Sequence, residues 1–174
     1  KNVLDGNGQV VSSVLCAHVY DTVGSSNAWV ELDGVTVSHQ SWVKLRIVPE
    51  TKCVWLRGMD TLEVPVRHGE GKFIVKDDAV LDRLRANGQI ALRYVRPDGS
   101  PANGEFPFNP NGAADDIAGI CDPSGRIFGL MPHPEAFQDP TNHPNWTRMS
   151  HMPEEGMGMW VFRNAVDYVQ EELL

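Results

Sequence analysis

Basic side chains are scarce in this sequence: 15 Lys and Arg stand against 23 Asp and Glu, a formal net charge of -8. Nowhere do the cations cluster. A surface for nucleic acid or for an anionic membrane needs grouped Lys and Arg to neutralise phosphates, so neither partner is expected. Cysteine is scarce too. Cys16, Cys53 and Cys121 are odd in number and widely spaced, with no C-x-x-C pattern. That argues against a disulfide framework or a cysteine zinc site and favours a reducing compartment. No apolar run approaches the roughly 20 residues that cross a bilayer, and the opening KNVLDGNGQ has no apolar core of a signal peptide. The expectation is a soluble, cytoplasmic protein. Internal repeats and low-complexity tracts are missing as well.

What is present is ordinary for one globular domain: 174 residues, 41% hydrophobic and 22% charged, read as a single unit over residues 1–174. The chain opens on Lys1 rather than Met, inside an already patterned region, which hints at a fragment or a processed product. Val10 to His18 follows the Gly6-Asn7-Gly8 turn signal and is an apolar run of either type, including a helix opening after a tight turn. Trp42 to Val48 alternates at period 2 and reads as a strand, as do Leu62 to Val66, Lys72 to Val75 after a turn at His68 to Gly71, and Gln89 to Val95. Asp77 to Ala86 has an acidic start, apolar residues at helical spacing and an Asn87-Gly88 stop, so it reads as a helix.

Residues 96–114, rich in Pro, Gly and Asn, form a turn-bearing excursion. Two strands follow, Ile117 to Cys121 and Arg126 to Met131, joined by the hairpin signal Asp122-Pro-Ser-Gly125. Residues 134–156 read as a second loop. Met159 to Leu174 is an amphipathic helix with Val161, Ala165, Tyr168, Val169 and Leu173 on or near one face. Alternating strands and helices make an α/β fold with a substantial antiparallel element.

The stretch GLMPHPEAF carries the strongest chemical signal. Pro134 disfavours the α region for His133, so His133 should be extended at a strand end. In an extended segment residues i and i+2 share a side, which brings the Glu135 carboxylate towards the His133 ring. A carboxylate on one imidazole nitrogen fixes the tautomer and leaves the other nitrogen to move protons. On residues alone a surface loop with a solvated His133 and a Glu135 near a helix start is the better reading, because one tripeptide is a weak signal. A metal set from His133, Glu135, His143 and His151 lacks H-x-x-x-H spacing. His68 and Glu70 form a second pair in a glycine-rich turn, and Asp115-Asp116 is either a Mg²⁺ site for a phosphate substrate or a solvated turn.

Taken together, PVRHGEGKF (65–73), GQIALRYV (88–95), NPNGAADDIAGICDPSGRIFGLMPHPEAF (109–137) and WVFRNAVDY (160–168) resemble the glutaminase part of phosphoribosylformylglycinamidine synthase, within the class I glutamine amidotransferases. The resemblance implies a flavodoxin-like α/β domain with a Cys-His-Glu triad, in which His133 is acid and then base and Glu135 holds its ring. Glutamine would be the substrate. Its ammonia would pass to a synthetase domain or subunit that binds ATP and Mg, with no cofactor or metal in the glutaminase part itself.

The nucleophile departs from that pattern. In the family it lies on a strand-to-helix elbow of the form G-x-C-N-G, beside an oxyanion-stabilising N–H. Matched through Asn7 and Gly8, its position here falls on Gly6, with the apolar run from Val10 as the elbow helix. Cys16, Cys53 and Cys121 each read better as small buried hydrophobes. By the same match the first strands of the domain are lacking. A nucleophile-lacking scaffold subunit is therefore the main alternative to an active module, with a metal-dependent hydrolase using the histidine-rich loop as a third reading.

Overall fold

Strand β5 (Ser41–Ile47) places Val43, Leu45 and Ile47 inwards, while Lys44 and Arg46 alternate with them on the other side. This is the period-2 pattern that its sequence predicts. The structure is a computed structural model. It describes residues 42–66 and 72–174 in full, together with the backbone of residues 3–4, 10–12, 28–32, 35–39 and 41. Residues of the expected turn at His68 to Gly71 lie outside that set.

Five strands form the central sheet in the order β6-β5-β7-β8-β9, where β6 is Thr61–Val66, β7 Ile90–Val95, β8 Ile117–Cys121 and β9 Phe128–Leu130. All four pairings are antiparallel. Leu45 lies opposite Leu62 on β6 and Tyr94 on β7, and these side chains are buried together. Complete burial of a leucine of this kind contributes roughly 1.5–3 kcal/mol relative to exposure. Cys53, Leu56 and Met59, around a short 3-10 turn at Val54–Leu56, join the same core. Val161 of the long helix reaches it too.

The sheet curls. Beyond β9 the Met131 amide still donates to the Ala118 carbonyl at 2.9 Å, and the His133 amide then donates to the Pro65 carbonyl of β6 at 3.0 Å. One backbone bond thus links the outgoing end of the sheet to its opposite edge strand. Pro65, which has no N–H to give, is placed where edge strands admit proline.

Helix α1 (Asp78–Ala86) is capped by the Asp77 side chain, which accepts from the Val80 amide at 2.9 Å. It lies at the periphery with no buried residue. Helix α2 (Gly158–Glu172) packs on the Val54–Leu56 turn and on the turn after His133. Mixed strands and helices therefore match the fold class expected from the sequence.

Four local expectations are corrected. Val10–Ser12 (β2) is a strand paired antiparallel with Val3–Leu4 (β1), so the elbow helix does not begin there. Its β-branched pair favours a pleated surface, and Asp-Gly-Asn-Gly is as good a hairpin turn as an elbow. Lys72 to Val75 is not a strand: Ile74 is exposed, and the segment is tied through the Phe73 carbonyl, which accepts from the Ala114 amide at 2.9 Å. The strand expected over Arg126 to Met131 shortens to β9, because the Asp122 carboxylate captures the Ile127 amide at 2.9 Å. On α2, Val169 and Leu173 are exposed while Val161 is buried, so the expected single face is split. A hairpin of Ala28–Leu32 (β3) and Val35–His39 (β4) was not foreseen, although Asp33-Gly34 between alternating apolar residues is its signal.

Candidate active site

Pro134 opens a 3-10 turn at Pro134–Ala136, a position where its missing N–H costs nothing. His133 before it has φ -112° and ψ 89°, non-helical as a residue preceding proline should be. The tight turn, and not a continuous extended strand, swings Glu135 back to the ring. His133 Nδ1 and Glu135 Oε1 are 2.6 Å apart, with both side chains partly open to solvent. The expected contact is present, by a different backbone route.

Packing fixes this turn from three sides. Its entry is held by the His133 amide on Pro65 of β6. The Gln138 side-chain amide donates to the Glu135 carbonyl at 2.8 Å. Behind it, Gly158 N–H donates to the Phe137 carbonyl at 3.0 Å, and Gly156 N–H to the Gln138 carbonyl at 2.7 Å. A Cβ on Gly158 would stand 1.9 Å from the Pro134 oxygen, so only glycine lets α2 start this close. Sequence reasoning missed Gly156 and Gly158, although the GMGM spacing before the helix was the signal. Phe137 is buried and meets Trp42 edge-on, ring centroids 5.0 Å apart.

The other candidates are placed elsewhere. His143 packs edge-on against Trp42 at 4.7 Å, and its Nδ1 accepts from the Asn145 amide at 3.1 Å. His151 is exposed. Among the described residues no three His, Cys, Asp or Glu side chains are grouped so as to hold a metal ion. The Asp115-Asp116 pair is neither a metal site nor a solvated turn. Asp116 is buried and accepts from the amides of Asn103 (2.7 Å) and Gly104 (2.8 Å) and from Asn109 Nδ2 (2.8 Å). Asp115 binds Arg93 Nη2 at 2.6 Å and Arg85 Nη2 at 2.9 Å. Burial alone would raise its pKa, but the two guanidiniums outweigh it and hold the carboxyl below the ordinary range. With both carboxylates engaged, the pair anchors the excursion of residues 96–114 to β7 and β8.

Neither described thiol is placed as a nucleophile. Cys53 and Cys121 are both buried. Burial pushes the Cys53 thiol up to about 12 and raises Cys121 as well. A nucleophilic cysteine needs the opposite, an exposed and depressed thiol. Gly6 and Cys16 lie outside the described residues.

The model of the CobB/CobQ-like glutamine amidotransferase domain family matches residues 25–169, and the chain belongs to that family. Within it, the chain is similar to phosphoribosylformylglycinamidine synthase subunit PurQ of Methanococcus maripaludis, 40% identical over 136 residues, 73% of this chain and 49% of the relative. It is likewise similar to the subunit of the same name from Dehalococcoides mccartyi, 42% identical over 130 residues, 75% of this chain and 48% of the relative. The chain spans about half the length of these relatives. Among solved structures, that of PurLQS from Thermotoga maritima aligns with a TM-score of 0.48 and 25% identity, over 75% of this chain and 48% of that one.

Proposed function

We propose that the chain supplies the acid–base part of a glutaminase that feeds ammonia to phosphoribosylformylglycinamidine synthase. The observation that carries this reading is the 2.6 Å contact of His133 Nδ1 with Glu135 Oε1 in a member of a glutamine amidotransferase family. Glu135 fixes the orientation of the ring, and the imidazole carries the proton transfer. In the complete enzyme the family's cysteine thiolate adds to the side-chain amide of glutamine. His133 protonates the nitrogen as the C–N bond of the adduct breaks, releasing ammonia and leaving a glutamyl thioester, and then takes a proton from the water that hydrolyses that thioester to glutamate and free thiol. Ammonia passes to a synthetase domain or subunit, where ATP and Mg activate formylglycinamide ribonucleotide. Residues 1–174 act as one domain, in the cytoplasm; no helix among the described residues is long and apolar enough to cross a membrane.

The two buried, protonated thiols favour a second reading, a nucleophile-lacking subunit that docks on the synthetase as a scaffold. Ammonia release from glutamine separates the two. In a complete enzyme carrying the family's nucleophile, His133→Ala should lower release about 100- to 10,000-fold with an unchanged melting profile. Unchanged activity would remove His133 from the mechanism. The 174-residue chain alone should release none, and robust turnover abolished by a thiol alkylator would overturn the reading that its cysteines are inert.

A further inference from the structure

Beside Phe137, the loop of residues 138–157 and the first turns of α2 leave a cleft of about 360 Å³ against β6. Phe137, Met149, Met157 and the half-exposed indole of Trp160 give it apolar walls. Its volume, and walls broken by a few polar groups, are those of a small-molecule site.

Its charge is one-sided. Arg163, the one Lys or Arg among the described residues of the lining, is taken up by Glu155 at 2.5 Å. Glu63 and Glu154 remain. The cross-strand neighbour of Glu63 is Lys44, but the Lys44 ammonium is drawn away to the Pro97 carbonyl at 2.8 Å. What faces Glu63 Oε1 is His143 Nε2, at 3.5 Å, beyond good hydrogen-bond length. Nδ1 of that ring is occupied as the acceptor of the Asn145 amide at 3.1 Å, so Nε2 is the nitrogen turned to Glu63. The ring is fixed between Trp42 and Phe137, with only 11% of its side chain exposed. It cannot swing closer to complete the pair.

We propose that this cleft binds an organic ammonium: a positively charged nitrogen on a short apolar stem. The nitrogen sits at the Glu63 carboxylate, with the exposed Glu154 carboxylate also on the lining, and their exposure to solvent keeps each attraction modest. The stem lies along the Met157 thioether and the Trp160 face, where the indole adds a cation–π contribution. An anion of the same shape is repelled, and a neutral analogue leaves Glu63 without its counter-charge. This site is independent of the glutaminase reading, since it uses neither His133 nor Glu135.

NMR titration of the full chain at pH 8 and constant ionic strength tests it, following the Trp160 indole and His143 imidazole signals. Pentylammonium chloride should give saturable shifts, while 1-pentanol and pentanoate should bind at least about tenfold more weakly. Glu63→Gln and Glu154→Gln should each weaken pentylammonium by about three- to fivefold, and Trp160→Leu by about threefold. Unsaturable shifts, equal binding of pentanol, or unchanged affinity in both glutamine variants would overturn the proposal. A blocked lysine, Nα-acetyl-lysine N-methylamide, should bind more weakly than pentylammonium. Tighter binding of the blocked lysine would overturn the assignment to a small free amine in favour of a lysine presented by another polypeptide.

Discussion

Replacing Gly158 with alanine probes whether backbone packing holds the turn that carries His133 and Glu135. The added Cβ would stand 1.9 Å from the Pro134 oxygen and 2.7 Å from that of Phe137, where ordinary contact begins at 3.4 Å. Both obstacles are backbone, so no rotamer change relieves them. The helix and the turn must part by about 1.5 Å, and the Gly158 to Phe137 hydrogen bond goes with them. Overpacking of this kind costs about 1–3 kcal/mol and the lost bond about 1 kcal/mol. Alanine's better helix propensity returns about 1 kcal/mol, leaving a destabilisation of about 1–3 kcal/mol. Urea unfolding followed by circular dichroism should show a lower midpoint at an unchanged slope, and the amide signals of His133, Glu135, Ala136 and Phe137 should move. Gly129→Ala is the control, because nothing lies within 4 Å of the Cβ it would gain; its effect should stay within about 0.5 kcal/mol. A Gly158→Ala variant as stable as the parent would refute the argument.

Two further outcomes follow from the polar networks. Asn109→Ala removes the buried amide that bonds Asp116 and both the carbonyl and the amide of Ala113. It should cost about 2–3 kcal/mol and speed hydrogen exchange at the Asn103 and Gly104 amides; unchanged exchange there would count against the anchoring role. Asp122 is lowered from 3.8 to about 2, first by the Ile127 amide and then by the Ser124 hydroxyl. A folded pKa below the unfolded one gives stability that is complete above 3.8 and lost as pH falls through 2. Asp122→Asn should therefore flatten the acid-unfolding curve in that window, and an identical curve would contradict the assignment.

The elements legible in the sequence were those whose pattern is local. The alternation of β5, the Asp77 cap and Asn87-Gly88 stop of α1, and the Asp122 to Gly125 hairpin each needed only neighbours within a few residues. The His133–Glu135 contact was legible for the same reason, since two residues separate the partners. Features decided at long range were hidden. Lys72 to Val75 has strand composition but pairs with no strand among the described residues, and pairing is what makes a strand. Val169 and Leu173 carry helical periodicity but lie on the side of α2 away from the core. Asp115 and Asp116 are adjacent letters with opposite fates, one drawn to Arg85 and Arg93, the other buried beneath Asn109. Nor could spacing reveal that Gly158 abuts a carbonyl 24 residues earlier in the chain.

The backbone bond from His133 to Pro65 has a mechanical consequence. Because it clasps the last strand to the first, the curvature of the whole sheet and the placement of the imidazole are one variable. Flattening the sheet anywhere, for instance by forcing β8 and β9 apart at Gly119, draws His133 away from β6 and tilts its ring, even though Gly119 touches neither member of the pair. Sheet curvature thus joins the helix and Gln138 in setting the imidazole, and protection of the His133 amide from exchange is a gauge of whether the clasp is shut.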